Sequence, residues 1–138
     1  LRDMRIEPFL LASTLRAVIA QRLVRRLCPD CRRAETAKPS AQDMLELREN
    51  TTVYEPVGCA SCNGTGFKGR IGVFEAIRVD ETIRQLIHDG RDEAAIARHA
   101  FRRAADLNAA ARALVIAGKT TLEEAVRITR RDAGDDTV

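Results

Sequence analysis

The cysteine pattern restricts this chain more than any other feature. All four cysteines fall in two Cys-x-x-Cys pairs, "CPDC" with Cys28 and Cys31 and "CASC" with Cys59 and Cys62, and 27 residues separate the pairs. Two residues between cysteines bring both sulfurs to one side of a tight turn, and two such knuckles supply the four ligands of a closed tetrahedral zinc site. Turn formers stand where that geometry needs them: Pro29 inside the first knuckle, Gly64 and Gly66 just after the second. Four thiolates leave no position for water, so the pattern points to a structural ion rather than a catalytic one. The competing readings are two disulfides, four unrelated thiols or a redox pair. The charged opening "LRDM" lacks a signal-peptide pattern that would suggest a secretory setting. Neither pair sits in a thioredoxin-like βαβ unit.

Composition sharpens the case for a metal. The 138 residues suffice for one domain or two small ones, aromatic residues make up 4% and Trp is absent, so any core is mainly Leu, Ile, Val and Ala. A structural zinc contributes about 10–16 kcal/mol of apparent binding energy, more than a few buried Leu and Met side chains supply against chain entropy. The net charge of +3 is too mild to argue for nucleic acid. No apolar run approaches the roughly 20 residues of a membrane span. The chain reads as a piece of a longer protein, with a cytosolic location as the default.

Along the chain, "EPFLLASTLRAVIAQRLVRRL" carries Leu11, Leu15, Val18, Ile19, Leu23 and Leu27 at spacings of three and four, which predicts one long helix opening at Pro8 and stopping near Cys28 because of Pro29. A short helix capped by Ser40 is expected over "SAQDMLELREN", and "TTVYEPVG" reads as a short strand running into a turn. "NGTG" is a turn signal, and "RIGVFEAIRV" reads as a strand. The remainder is helical. Asp80 caps a helix that closes on Gly90, one or two Ala-rich helices end at Gly118, and a final helix opens with a capping box on either Thr120 and Glu123 or Thr121 and Glu124. The polar tail "DAGDDTV" is expected to fray. Together these elements give an α+β chain, mainly helical, with short antiparallel strands around a small tetracysteine zinc-binding subdomain.

Three stretches, "DMRIEPFLLASTLRAVIAQRLVRRLCPDC", "GCASCNGTGFKGRIGVFEAI" and "GKTTLEEAVRIT", resemble in this order the C-terminal third of the GspE/PulE family, the traffic ATPases of bacterial type II secretion and type IV pilus assembly. The resemblance runs from Asp3 to about Thr129. It implies a fragment of a cytoplasmic ATPase that works as a homo-hexamer, peripheral to the inner membrane through an inner-membrane platform and cytoplasmic-membrane linker proteins, with no nucleic acid among its partners. It divides the chain into the last helix of a RecA-like core (1–27), a tetracysteine metal-binding subdomain (28–69) and a C-terminal helical subdomain (70–138). Cys28, Cys31, Cys59 and Cys62 would hold structural Zn2+. ATP and Mg2+ would bind only in the parent enzyme, whose P-loop lies upstream, so this piece alone would not hydrolyse ATP. Arg70 falls on an arginine that the family keeps after the second knuckle, which makes it a candidate contact near a subunit interface or nucleotide. Two departures stand out: Arg5 where the family usually has Gly, and "NAAARALVIAG" where it usually carries an acidic residue and a Gly.

Several other features are decoys. "AGKTT" at Ala117 to Thr121 mimics the end of a P-loop, but Ala113 stands where that motif needs Gly, and the residues before it read as helix rather than strand. "CASCNGTG" matches one unit of the DnaJ-type chaperone zinc region, yet "CPDCRRAE" does not repeat it. His88 and His99 are expected on helices as ordinary surface or half-buried residues. The arginines of the first helix are expected to be solvated or paired with Glu46 and Glu49. The rival to the ATPase fragment is a stand-alone zinc-ribbon module that binds nucleic acid or protein, for which Lys68 and Arg70 would be the gripping residues.

Overall fold

The computed structural model describes residues 6–102 and 104–129. Among them are six helices and two two-stranded sheets in the order α1 (Pro8–Thr14), β1 (Ala17–Leu27), β2 (Arg33–Thr36), α2 (Pro39–Leu45), β3 (Thr52–Glu55), β4 (Phe67–Arg78), α3 (Glu81–His88), α4 (Glu93–Ala100), α5 (Leu107–Ile116) and α6 (Leu122–Thr129). A single 3-10 turn, Ala60–Cys62, lies between β3 and β4. The fold is therefore α+β. No helix among the described residues is long and apolar enough to cross a membrane.

The long first helix is not formed. Helix α1 ends after seven residues, Leu15 is extended (φ −66°, ψ 130°), and Ala17–Leu27 is a strand paired with β4. Spacings of three and four suggested helix, but the segment also carries β-branched Val18, Ile19 and Val24, and β4 offers a partner with Ile71, Val73 and Ile77. A complementary strand overrides weak helix propensity, because it satisfies the backbone and packs branched side chains on a pleated surface. The helix near Ser40 starts instead at Pro39, with Lys38 at the cap position, because proline suits the first helical turn. The other expected elements are present, and the Ala-rich stretch is two helices. Arg5 and the polar tail lie outside the described residues.

The described residues divide into two compact units, 6–20 with 75–106 and 21–74 with 107–129. In the first, α1 packs on α3 and α3 on α4. The Asp80 carboxylate accepts from the Ile83 N–H at 2.9 Å, and Asp92 does the same for Ala95 at 2.8 Å, so both helices carry side-chain N-caps. Gly90, at φ +67°, lets the chain leave α3 in the left-handed conformation that ends helices. His99 contacts the Asp80 carboxylate at 2.7 Å. That contact and the Ile83 N–H hold the Asp80 carboxyl below its ordinary range.

The second unit contains an aliphatic core. Val24 of β1 and Val73 of β4 meet Leu45, Leu47 and Val53 from the central segment and Ala111, Val115, Ala125 and Ile128 from the α5–α6 hairpin. Strands β2 and β3 pair antiparallel with Arg33 opposite Glu55 and Thr36 opposite Thr52. Thr121 caps α6, its hydroxyl accepting from the Glu124 N–H at 3.2 Å, which selects the second of the two capping registers.

Candidate metal centre

The two knuckles converge. The sulfurs of Cys28, Cys31, Cys59 and Cys62 all lie within 4.8 Å of one another, and none forms a disulfide. Three of the sulfur pairs are resolved as close contacts: Cys28 to Cys59 at 3.9 Å, Cys31 to Cys62 at 3.8 Å and Cys59 to Cys62 at 3.8 Å. Four sulfurs placed tetrahedrally at a zinc–sulfur distance of about 2.3 Å stand about 3.8 Å apart. A disulfide would need about 2.05 Å. Cys28 and Cys62 are buried and Cys31 and Cys59 half-buried, so the cluster has an inner and an outer edge. The cluster can hold a metal ion with soft ligands and no open coordination position.

Local sequence explains how each sulfur is placed. Pro29 follows Cys28 and ends β1, and the Arg32 N–H closes the first knuckle on the Cys28 carbonyl at 3.1 Å. The second knuckle is the 3-10 turn after Cys59, closed by left-handed Asn63 and by Gly64, whose N–H reaches the Cys59 carbonyl at 2.9 Å. Main-chain N–H groups point at two sulfurs. Gly58 donates to Cys31 at 3.3 Å, and Cys59 and Gly66 both donate to Cys62 at 3.2 Å. Burial pushes the Cys31 thiol up to about 11, reinforced by its sulfur neighbours and opposed by the Gly58 N–H. Burial also raises the Cys62 thiol, but the Cys59 and Gly66 N–H groups and the neighbouring Cys59 and Cys31 sulfurs together more than offset it and bring it down to about 6. N–H donors favour a thiolate, the form a metal binds.

A second network ties the α5–α6 turn to the strand that leads into the first knuckle. Leu27, adjacent to Cys28, donates its N–H to the Lys119 carbonyl at 2.8 Å, and the fully buried Thr120 donates its hydroxyl to the Arg25 carbonyl at 2.8 Å. The Arg32 guanidinium sits 4.6 Å from the centre of the Tyr54 ring and donates to the Gly118 carbonyl. Glu124, buried on α6, accepts from the Arg25 N–H at 2.8 Å, the Arg25 Nε at 3.1 Å and the Arg127 Nη2 at 3.0 Å. Burial works to raise its carboxyl, but these donors prevail and hold it below the ordinary range. Arg25 also covers the Phe67 ring at 4.0 Å.

The other sequence candidates do not join the cluster. Arg70 is exposed on β4, and His88 is exposed beside Asp89. The expected pairing of first-segment arginines with Glu46 and Glu49 is corrected: Arg25 pairs with Glu124, and Glu46 pairs with Arg112 at 2.8 Å. The segment is a strand beside α6, which brings a carboxylate from 99 residues away within reach. The AGKTT decoy is a helix-ending turn. The N–H groups of Gly118 and Lys119 bond back to Val115 and Leu114 at 2.9 Å each, so neither is free to cradle phosphate. Sequence reasoning did not single out Arg32 or the pairing of Arg25 with Glu124, because no local spacing signals a contact between distant segments. The Gly-rich stretch after Cys59 was the only hint of the sulfur-directed N–H groups.

The chain is similar to known proteins over nearly its whole length. A family model described as "Type II/IV secretion system protein" matches residues 1–127. Type II secretion system protein E of Aeromonas hydrophila is 46% identical over 134 residues, which cover 96% of this chain and 27% of that protein. The protein of the same name from Klebsiella pneumoniae is 40% identical over 131 residues, 95% of this chain and 26% of that protein. Type II secretion system ATPase E of Vibrio cholerae is 39% identical over 132 residues, 94% of this chain and 26% of that protein. The chain thus spans about a quarter of the length of these curated relatives.

Proposed function

The chain belongs to the type II/IV secretion system protein family, and from that premise we propose that it is the metal-bearing C-terminal region of a traffic ATPase that powers type II secretion or type IV pilus assembly. Residues 1–27 would close a RecA-like core, 28–69 form the metal-binding subdomain and 70–138 the terminal subdomain. Cys28, Cys31, Cys59 and Cys62 hold a structural Zn2+. The observation that carries this reading is the convergence of both knuckles, all four sulfurs within 4.8 Å and three of the pairs at 3.8–3.9 Å, in a chain related to type II secretion ATPases.

When bound, the ion supplies cross-linking and no reaction, since four thiolates fill its coordination. The chain's own residues do the rest. Backbone N–H groups hold Cys31 and Cys62, and the Leu27, Arg25 and Arg32 contacts clamp the α5–α6 turn beside the knuckles. This arrangement suits a rigid lobe that passes movement of an ATPase core to its partners. The ATP hydrolysis, with Mg2+, belongs to the parent enzyme working as a homo-hexamer in the cytoplasm. The parent would lie against the inner membrane through a platform protein and a membrane-linked adaptor. Arg70, exposed on β4, is available for a subunit interface or a neighbouring nucleotide.

Native mass spectrometry of the chain tests the metal reading: a single zinc ion per chain is expected, and a fully ordered, metal-free protein would refute it. An ATPase assay tests the rest. The chain alone is expected to be inactive, and magnesium-dependent turnover by it would refute the fragment reading.

A further inference from the structure

The four glycines around the second knuckle all have positive φ, yet their surroundings differ. Gly58, Gly64, Gly66 and Gly69 stand at φ +105°, +76°, +74° and +76°. Around Gly64 and Gly69 a β-carbon would meet nothing within 4 Å. At Gly58 it would lie 2.5 Å from the Gly64 carbonyl oxygen, and at Gly66 it would lie 2.4 Å from the Pro56 Cβ. The two crowded glycines are also the ones whose N–H groups reach a sulfur from outside the 3-10 turn, Gly58 to Cys31 and Gly66 to Cys62.

Gly66 does more than donate. Its N–H serves Cys62 of the second knuckle at 3.2 Å, while its carbonyl accepts from the Cys28 N–H of the first at 2.9 Å. Gly58, on the chain entering the second knuckle, donates to Cys31 of the first. Each crowded glycine therefore joins the two knuckles through its own backbone, at a place where a side chain would force that backbone away.

We infer that Gly58 and Gly66 are positioning residues of the metal centre: their backbones hold both knuckles in register and aim N–H groups at the Cys31 and Cys62 thiolates. The inference rests on the metal reading above. Partners behind a ligand typically change metal affinity 10- to 100-fold when lost, because they set ligand orientation and charge. A positive φ alone strains any L-residue, so the test must separate strain from aim. Gly64 and Gly66 provide that separation, having nearly the same φ but opposite surroundings.

The experiment compares Gly66→Ala with Gly64→Ala, and Gly58→Ala with Gly69→Ala, in the zinc-loaded chain. Zinc release to a chromophoric chelator is timed, and the sulfur-to-metal charge-transfer band is recorded after cobalt(II) substitution. Gly66→Ala is expected to release zinc at least about tenfold faster than Gly64→Ala, and Gly58→Ala at least about tenfold faster than Gly69→Ala. The cobalt band of Gly66→Ala is expected to move to lower energy, because a thiolate that loses an N–H donor gives up its electrons more easily. A mere loss of stability would not move that band. Should Gly66→Ala fail to fold, the cobalt band of Gly58→Ala, which loses the N–H donor to Cys31, is expected to move the same way, a readout that the unequal φ strain at Gly58 and Gly69 does not move. Equal release rates within each pair, or an unmoved cobalt band, would overturn the inference and leave the metal reading standing. A wild-type chain that binds neither zinc nor cobalt would overturn both.

Discussion

Replacing Glu124 tests the network that fastens α6 to β1. The side chain is 4% exposed, and its two oxygens accept three N–H groups, from the Arg25 main chain, the Arg25 Nε and the Arg127 Nη2. Glu124→Ala leaves the Arg25 main-chain N–H without this acceptor, a loss of about 1–3 kcal/mol for a part-buried donor. The two guanidinium groups are about half exposed. They fall back on water, and each lost pair is worth only about 0.2–1 kcal/mol. The expected destabilisation is thus roughly 2–4 kcal/mol, a fall of about 1–2 M in the urea midpoint. Glu124→Gln keeps one oxygen, enough for the main-chain N–H and Arg127, and turns an NH2 toward Arg25 Nε, so its cost is about 1–2 kcal/mol. The effect also depends on pH. The folded carboxyl lies below its ordinary value of 4.5, so its contribution is fully present above that value and is lost as pH falls through the lower folded value. Urea midpoints of wild type and variants at pH 7 and across the acid range provide the assay, read as differences so that proton-driven loss of thiolate ligands cancels. A Glu124→Ala cost below about 1 kcal/mol at pH 7, or a difference that does not shrink in acid, would refute this account of the network.

Other perturbations probe separate parts of the molecule. Cys62→Ser removes the sulfur with two N–H donors; elemental analysis after dialysis is expected to show metal content far below the wild-type level. Gly118→Ala places a β-carbon 2.7 Å from both Arg32 Nη1 and Tyr54 Cδ2 at φ +63°, so a loss of about 1–3 kcal/mol is expected. Tyr54 is the only tyrosine, and Trp is absent, so tyrosine fluorescence reports that change directly. Asp92→Ala removes the cap on the Ala95 N–H and is expected to cost about 1 kcal/mol, seen as faster amide exchange in the first turn of α4.

How far the sequence carries depends on the range of the interaction. Cysteine spacing set the four-sulfur cluster, and the caps at Asp80 and Thr121 were legible because each acts within three residues. The family was legible for a related reason, since knuckles, glycines and capping residues form runs of fixed spacing. Three readings changed: the cap of α2, which falls at Lys38 rather than Ser40, and two that depend on distant partners. The stretch from Ala17 to Leu27 satisfies a helical spacing and a strand composition at once, and only pairing with β4 decides between them. The arginine partners were assigned to nearby carboxylates, whereas Arg25 meets one 99 residues away.

The chain alone determined which atoms could bind a metal, because two-residue spacing and turn-forming residues act locally and tolerate few alternatives. Tertiary structure decided everything that depends on who stands opposite: strand against helix at β1, Glu124 as the arginine partner, and Gly118 as the seat for Arg32 and Tyr54. Local propensities there differ by less than a few kcal/mol, so packing and backbone pairing with distant segments cast the deciding free energy.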